Sequence, residues 1–210
     1  GRGHPGAGEG EVRRGEVGTA MPTSGSSAEI ERVVGSLKAL AESIQKSKRI
    51  SVRACFVGER AEPKLLKRAL SRGVPSKIVD LCRVMDGFSL EWSATVDGAK
   101  KSGSVDLRSL AEHLGAHGDG VALDPEVEDA LETTFLADSA PDGKQLCWIE
   151  GESGLWDDYN GVFEDGGTDL VSYLEAGVAN LFVDGWFDHY LEHDEGVLHP
   201  DAITVREILG

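Results

Sequence analysis

The chain has 210 residues, 40% of them apolar, and a formal net charge of −16. That length and apolar share suit one domain with its own core, and no apolar run approaches the roughly 18 to 20 residues that cross a bilayer. The acidic balance opposes nonspecific binding to nucleic acid or to an anionic membrane, because both depend on Lys and Arg set against phosphate.

Residues 1–25 are rich in Gly, Ser, Arg and Glu and almost lack large apolar groups. They are expected to form a disordered arm, with Met21 inside it as a candidate native start. No signal-peptide-like apolar stretch occurs there, and a cytoplasmic location is expected. Order is expected over 26–198, with 199–210 as a C-terminal tail that is either a short helix through Ile203, Ile208 and Leu209 or a loosely docked end. Ser26 and Glu29 have capping-box spacing ahead of Ile30, Val33, Val34, Leu37, Leu40, Ala41 and Ile44, which predicts an amphipathic helix. A strand over Ile50 to Val57 follows. A helix then opens at Pro63, with Leu65, Leu66, Ala69 and Leu70 inward and Gly73 as its stop. The next helix has Pro75 at its first position and Ile78, Leu81, Cys82 and Met85 on one face. Gly87 is expected to end it in the left-handed conformation, after which Phe88, Leu90 and Trp92 alternate with Ser89, Glu91 and Ser93 as in a half-buried strand.

Beyond Trp92 the period stays at two. Strands are predicted at Phe88 to Ala94, Ser104 to Leu107, Thr133 to Ala137 and Gln145 to Glu150, with one or two more between Leu155 and Glu164 and a turn across Gly98 to Gly103. Thr168 is expected to cap a long helix bearing Leu170, Leu174, Val178, Leu181 and Phe182. A break near Gly185 follows, and Trp186, Phe187, Tyr190 and Leu191 complete the packing. Helices, then clustered strands, then a terminal helix predict an α+β domain with an antiparallel sheet of about four to six strands, since no βαβ alternation exists.

The stretch VPSKIVDLCRVMDGFSLEW, Val74 to Trp92, joins a proline-led short helix to a strand through a polar residue and glycine and ends on tryptophan. It resembles the SUKH superfamily, which includes the yeast cell-wall-synthesis regulator and many bacterial toxin-immunity proteins. Downstream, Gly103 to Leu107 leads into Leu110-Ala-Glu-His-Leu114, then come Leu146-Cys-Trp-Ile149, Val162-Phe163 and the YLE-like Leu170-Val-Ser-Tyr-Leu-Glu175. An insertion-like stretch, Gly115 to Val121, precedes the central strands. The resemblance spans about Ala61 to Leu191. It implies a single SUKH-like domain, with N-terminal helices and a long C-terminal helix on the sheet, that acts without catalysis by binding another protein.

Charge is unevenly spread. Lys46, Lys48, Arg49, Arg53, Lys64, Lys67, Arg68 and Arg72 make the segment from Arg32 to Arg83 basic, whereas no Lys or Arg occurs from Gln145 to Val205. A carboxylate-lined face can compete with phosphate for the basic groove of a nuclease or deaminase toxin, so the partner-binding residues are expected to be Glu150, Glu152, Trp156, Asp157, Asp158, Glu164 and Asp165, with Trp156 as an anchor in an acidic loop. A solvated acidic surface explains the same charges without a partner. In Trp156-Asp-Asp-Tyr-Asn160 the adjacent carboxylates would converge only at a sharp turn, and a turn there is the expected role. Trp92 and Trp148 read as core. Cys55, Cys82 and Cys147 lack a CxxC spacing and read as buried free thiols. No catalytic residue, cofactor or metal is expected. The alternatives are a eukaryotic-type regulatory or scaffold subunit, and a metal-dependent hydrolase using His189 and His193, one helical turn apart, with His199 as a further ligand. The second of these lacks the Glu that a metalloprotease helix carries directly after its first His, because Tyr190 stands there.

Overall fold

A computed structural model describes residues 25–115, 134–139, 145–149, 155–159, 162–165, 168–193 and 196–209. The expected arm therefore lies outside the described residues apart from Gly25, as does the stretch from 116 to 121. Along the chain run α1 (Gly25–Lys46), β1 (Ile50–Val57), α2 (Pro63–Ser71), α3 (Ser76–Val84), β2 (Phe88–Val96), β3 (Ala99–Leu107) and α4 (Leu110–Gly115). Four strands follow, β4 (Thr134–Ser139), β5 (Gln145–Ile149), β6 (Leu155–Tyr159) and β7 (Val162–Asp165), then α5 (Leu170–Ala179), α6 (Trp186–Glu192) and α7 (Pro200–Leu209). The architecture is α+β, and the named strands pair antiparallel in sequence order. The single sheet of about four to six strands is divided differently. β1, β2 and β3 pair along their length, whereas β4 to β7 form a four-strand run joined to β3 through one pair, Leu107↔Asp138.

Every inward position expected of α1, from Ile30 to Ile44, is buried. This helix packs against α3, α5 and β1. In α2, Ala69 is fully buried and Leu65 and Leu66 partly so, but Leu70 faces solvent, as one apolar stripe of a short helix cannot reach that far around the cylinder. Pro75 caps α3 from outside, and Met85, in extended conformation, ends it. Gly87, at φ +91°, serves the turn into β2 instead of the helix end. Strand β2 alternates as its sequence demands, with Phe88, Leu90, Trp92, Ala94 and Val96 buried. The turn expected over Gly98 to Gly103 shrinks to Asp97-Gly98. Both residues have positive φ, which matches the right-handed twist of a tight hairpin and lets β3 start at Ala99.

Trp92 is 1% exposed. Its register partner is Gly103 on β3, where a Cβ would stand 2.7 Å from the indole and 2.5 Å from the Phe182 carbonyl oxygen. The indole Nε1 donates to the Leu181 carbonyl at 3.0 Å. The tryptophan is thus in the core, as its strand position predicts, and tied to the segment that leaves α5. Asp169, not Thr168, caps α5 by accepting from the amides of Val171 and Ser172. The helix stops at Ala179, so Leu181 and Phe182 lie beyond it with φ of +56° and +50°. The Leu181 amide donates to the Val178 carbonyl and the Phe182 amide to the Gly177 carbonyl, the paired bonds of a Schellman end, with the Phe182 ring laid over Gly177. Residues 182–184 then run along the free edge of β3. Ser104 donates to the Phe182 carbonyl, Asp184 donates to the Ser102 carbonyl, and Gly103 bridges Val183.

The C-terminal tail is a packed helix. Ala202, Val205 and Ile208 of α7 are buried, Lys101 pairs with Asp201 at 2.6 Å, and Arg206 donates to the Val178 and Ala179 carbonyls at the end of α5. Ile203, one of the residues expected to define its packing, is 50% exposed. Trp186 and Phe187 are buried in an aromatic group with Tyr173 and Phe182, whereas Leu191, expected to complete it, is 47% exposed.

Two glycine substitutions should move stability in opposite directions. Gly103→Ala is expected to destabilise the domain by about 1 to 3 kcal/mol, because backbone stands in the way. Gly35→Ala, in an exposed and open position of α1, should stabilise it by about 0.5 to 1 kcal/mol. Equal effects in denaturant titrations would show that β3 and the 181–184 segment do not approach as described. Trp92→Ala should cost about 3 to 5 kcal/mol; a loss below about 1 kcal/mol would remove the tryptophan from the core.

Candidate partner-binding surface

The acidic candidates concentrate on the last hairpin of the strand order. Trp156, Asp157 and Asp158 are consecutive residues of β6, and Glu164 and Asp165 belong to β7. The anticipated acidic loop, and the turn assigned to Asp157-Asp158, are therefore a strand. The pair Tyr159↔Val162 leaves only Asn160 and Gly161 to connect β6 with β7, a dipeptide strongly favoured between paired strands.

Register sorts the candidates. Asp157 stands opposite Glu164, Trp156 opposite Asp165, and Asp158 opposite Phe163. Successive strand residues alternate between faces, so Asp157 and Glu164 belong to one face of the hairpin, and Trp156, Asp158 and Asp165 to the other. The seven-residue set is thus not a single patch. Glu150 and Glu152 lie outside the described residues.

The basic residues occupy other surfaces. Lys64, Lys67, Arg68 and Arg72 are exposed along α2, with exposed Leu70 among them. On the three-stranded sheet a shallow basin of 410 Å³ is lined by Arg49, Ser51, Ser93, Ala94, Thr95 and Lys100. Arg53 of β1 is engaged by Glu91 at 2.8 Å.

The histidines expected as alternative ligands do come together. The rings of His189 and His193 stack with centroids 3.9 Å apart, and His199 meets His189 edge-on at 5.1 Å. Among the described residues, however, no group of three His, Cys, Asp or Glu side chains converges to hold a metal ion. His193 Nδ1 is spent on the His189 carbonyl at 2.9 Å, and His199 Nδ1 on the Asp201 amide at 3.1 Å. This second contact, which makes His199 a helix cap, could have been read from its place before Pro200, because Pro favours the first helical position.

Of the thiols, Cys82 is buried and Cys55 half-buried. Burial, reinforced by the charge of Asp86, pushes the Cys82 thiol well above its ordinary value, which makes it a poor nucleophile. No helix among the described residues is long and apolar enough to cross a membrane.

Comparison with family models, with curated proteins and with solved structures finds no match to the chain.

The hairpin register carries a stability consequence. Like charges directly opposite on paired strands are destabilising, by an amount comparable to the roughly 0.2 to 1 kcal/mol that favourable pairs contribute. Glu164→Gln should therefore raise stability by a few tenths of a kcal/mol, and Glu164→Lys, facing Asp157, by more, with the gain shrinking in high salt. Loss of stability with both variants in thermal melts would contradict the Asp157↔Glu164 pairing.

Proposed function

We propose that this chain is a noncatalytic protein-binding domain of SUKH type, acting in the cytoplasm as an immunity protein that occludes the basic groove of a nuclease or deaminase toxin. The observation that carries this reading is the β6–β7 register. It gathers Trp156, Asp157, Asp158, Glu164 and Asp165 on one hairpin, inside a stretch from Gln145 to Val205 without a single Lys or Arg. Such a surface attracts a cationic groove at long range, and a tryptophan among the acids supplies the desolvated anchor that charge alone cannot.

Because the faces of the hairpin differ, the docking face is the one shared by Trp156, Asp158 and Asp165. The partner is first captured from the native host and identified by mass spectrometry, then association is followed at two salt concentrations. Asp158→Lys with Asp165→Lys should slow association about tenfold and flatten its salt dependence. The pair Asp157→Lys and Glu164→Lys should do less, and Trp156→Ala should act mainly by speeding dissociation. Unchanged association with both double variants would move the binding face to α2, with Lys64, Lys67, Arg68 and Arg72 contacting an acidic partner.

A further inference from the structure

The start of α7 depends on a histidine in one protonation state. His199 occupies the position before Pro200, and its carbonyl accepts the first bond of the helix, from the Ile203 amide at 3.2 Å. Its ring Nδ1 lies 3.1 Å from the amide nitrogen of Asp201, the second residue of the helix. That is the geometry of a side-chain helix cap, in which the side chain must accept. A backbone N–H can only donate, so Nδ1 must carry a lone pair, and the neutral ring holds its proton on Nε2. The His199 amide in turn donates to the Asn180 side-chain oxygen at 2.7 Å, and Asn180 is 2% exposed at the end of α5. One residue thus joins the end of α5 to the start of α7.

We propose that His199 is a proton-sensitive latch, in which the neutral imidazole holds the first turn of α7 on the core and protonation at Nδ1 releases it. A proton on Nδ1 turns the acceptor into a donor aimed at another donor, and it sets a positive charge at the helix end that already carries the positive pole of the macrodipole. The surroundings act in both directions. Burial is the largest influence and favours the neutral ring. The Asp201 carboxylate opposes it, and the charges of His189 on α6 and of Lys101 on β3 reinforce it, so His199 is held below its ordinary value. Behind His189 stands His193, its ring stacked at 3.9 Å. The Lys101–Asp201 ion pair keeps much of the Asp201 charge engaged.

The sign follows from linkage. The folded state binds this proton less readily than the unfolded chain, so the cap's contribution is complete above the unfolded imidazole value of about 6.5 and is lost as pH falls below it. Buried His113, lowered to about 4 chiefly by burial, also weakens the domain in acid, but that effect is global. The latch is local.

Amide hydrogen exchange, resolved by residue and corrected for intrinsic rates, separates the two between pH 7.5 and pH 5. In the full chain, protection of the Ile203, Val205 and Ile208 amides should fall, approaching tenfold per pH unit once His199 titrates, while the amides of α1 keep theirs. His199→Asn supplies a cap that does not titrate and should hold the α7 amides level over the same range. A flat profile in the wild-type chain, or an equal loss in His199→Asn, overturns the proposal. A second readout needs no variant: ring nitrogen NMR should show His199 unprotonated at Nδ1 at pH 7.5, with its titration midpoint below about 6.5 and shared with the α7 amide shifts. A midpoint above that value, or a proton on Nδ1 at pH 7.5, overturns it equally.

Discussion

The bond from the Trp92 indole to the Leu181 carbonyl closes the domain. Leu181 and Phe182 both sit in the left-handed region, where a side-chain-bearing residue costs on the order of 1 kcal/mol or more. Both are also buried, so the backbone groups at this bend have little recourse to water. The bend persists because its neighbours over-determine it. Two amide bonds return to α5, the Leu181 oxygen accepts from the indole N–H, and the Phe182 oxygen accepts from the Ser104 amide. Gly103 is what lets these parts approach, as any side chain there would meet both the indole and the Phe182 carbonyl. A strand, a helix end and an edge-filling segment are therefore fixed by one small cluster.

That cluster organises what surrounds it. By occupying the edge of β3 beside Ser102 to Ser104, residues 182–184 leave β4 only the far end of the strand, which accounts for the single pair Leu107↔Asp138 and for the separate run β4 to β7. The acidic hairpin is the last pair of this run. In the other direction, Asn180 precedes Leu181 and carries the constraint to His199 and α7. Arg206 adds its guanidinium to the carbonyl end of α5, where the helix dipole favours a cation. The two ends of the described α5–α7 unit are thus tied together at one bend.

Periodicity made the first half of the domain legible. All seven inward positions of α1 and the alternation of β2 follow from spacing alone, and the β1 bounds of Ile50 to Val57 are the expected ones. What spacing could not show were features set by distant contacts. Leu181 and Phe182 continue the apolar stripe of α5 so well that spacing alone predicts a longer helix. The chain leaves the helix there because the indole, the β3 edge and the Gly177 surface reward the bend, none of which a local window contains. The hairpin at Asp97-Gly98 escapes a local reading for another reason: the run Lys100 to Ser102 is polar, yet those residues belong to a strand whose inward neighbour is Gly103. Of the candidate site, charge and composition pick out an acidic stretch and suggest a loop and turn, where the structure has the strands β6 and β7. Only the register showed that Asp157 and Asp158 belong to different faces. Strand alternation marks Trp92 as core but supplies no partner for its indole.

The most direct measurement is the exchange rate of the Trp92 indole Nε1 proton in the native protein. If the Leu181 bond closes the domain, that proton should exchange only when the whole domain unfolds. Its opening free energy should then equal the global value from denaturant titration and respond to denaturant with the full unfolding slope. Exchange within minutes, or with a slope near zero, would show the indole opening by local fluctuation and would contradict the central place given to this bond.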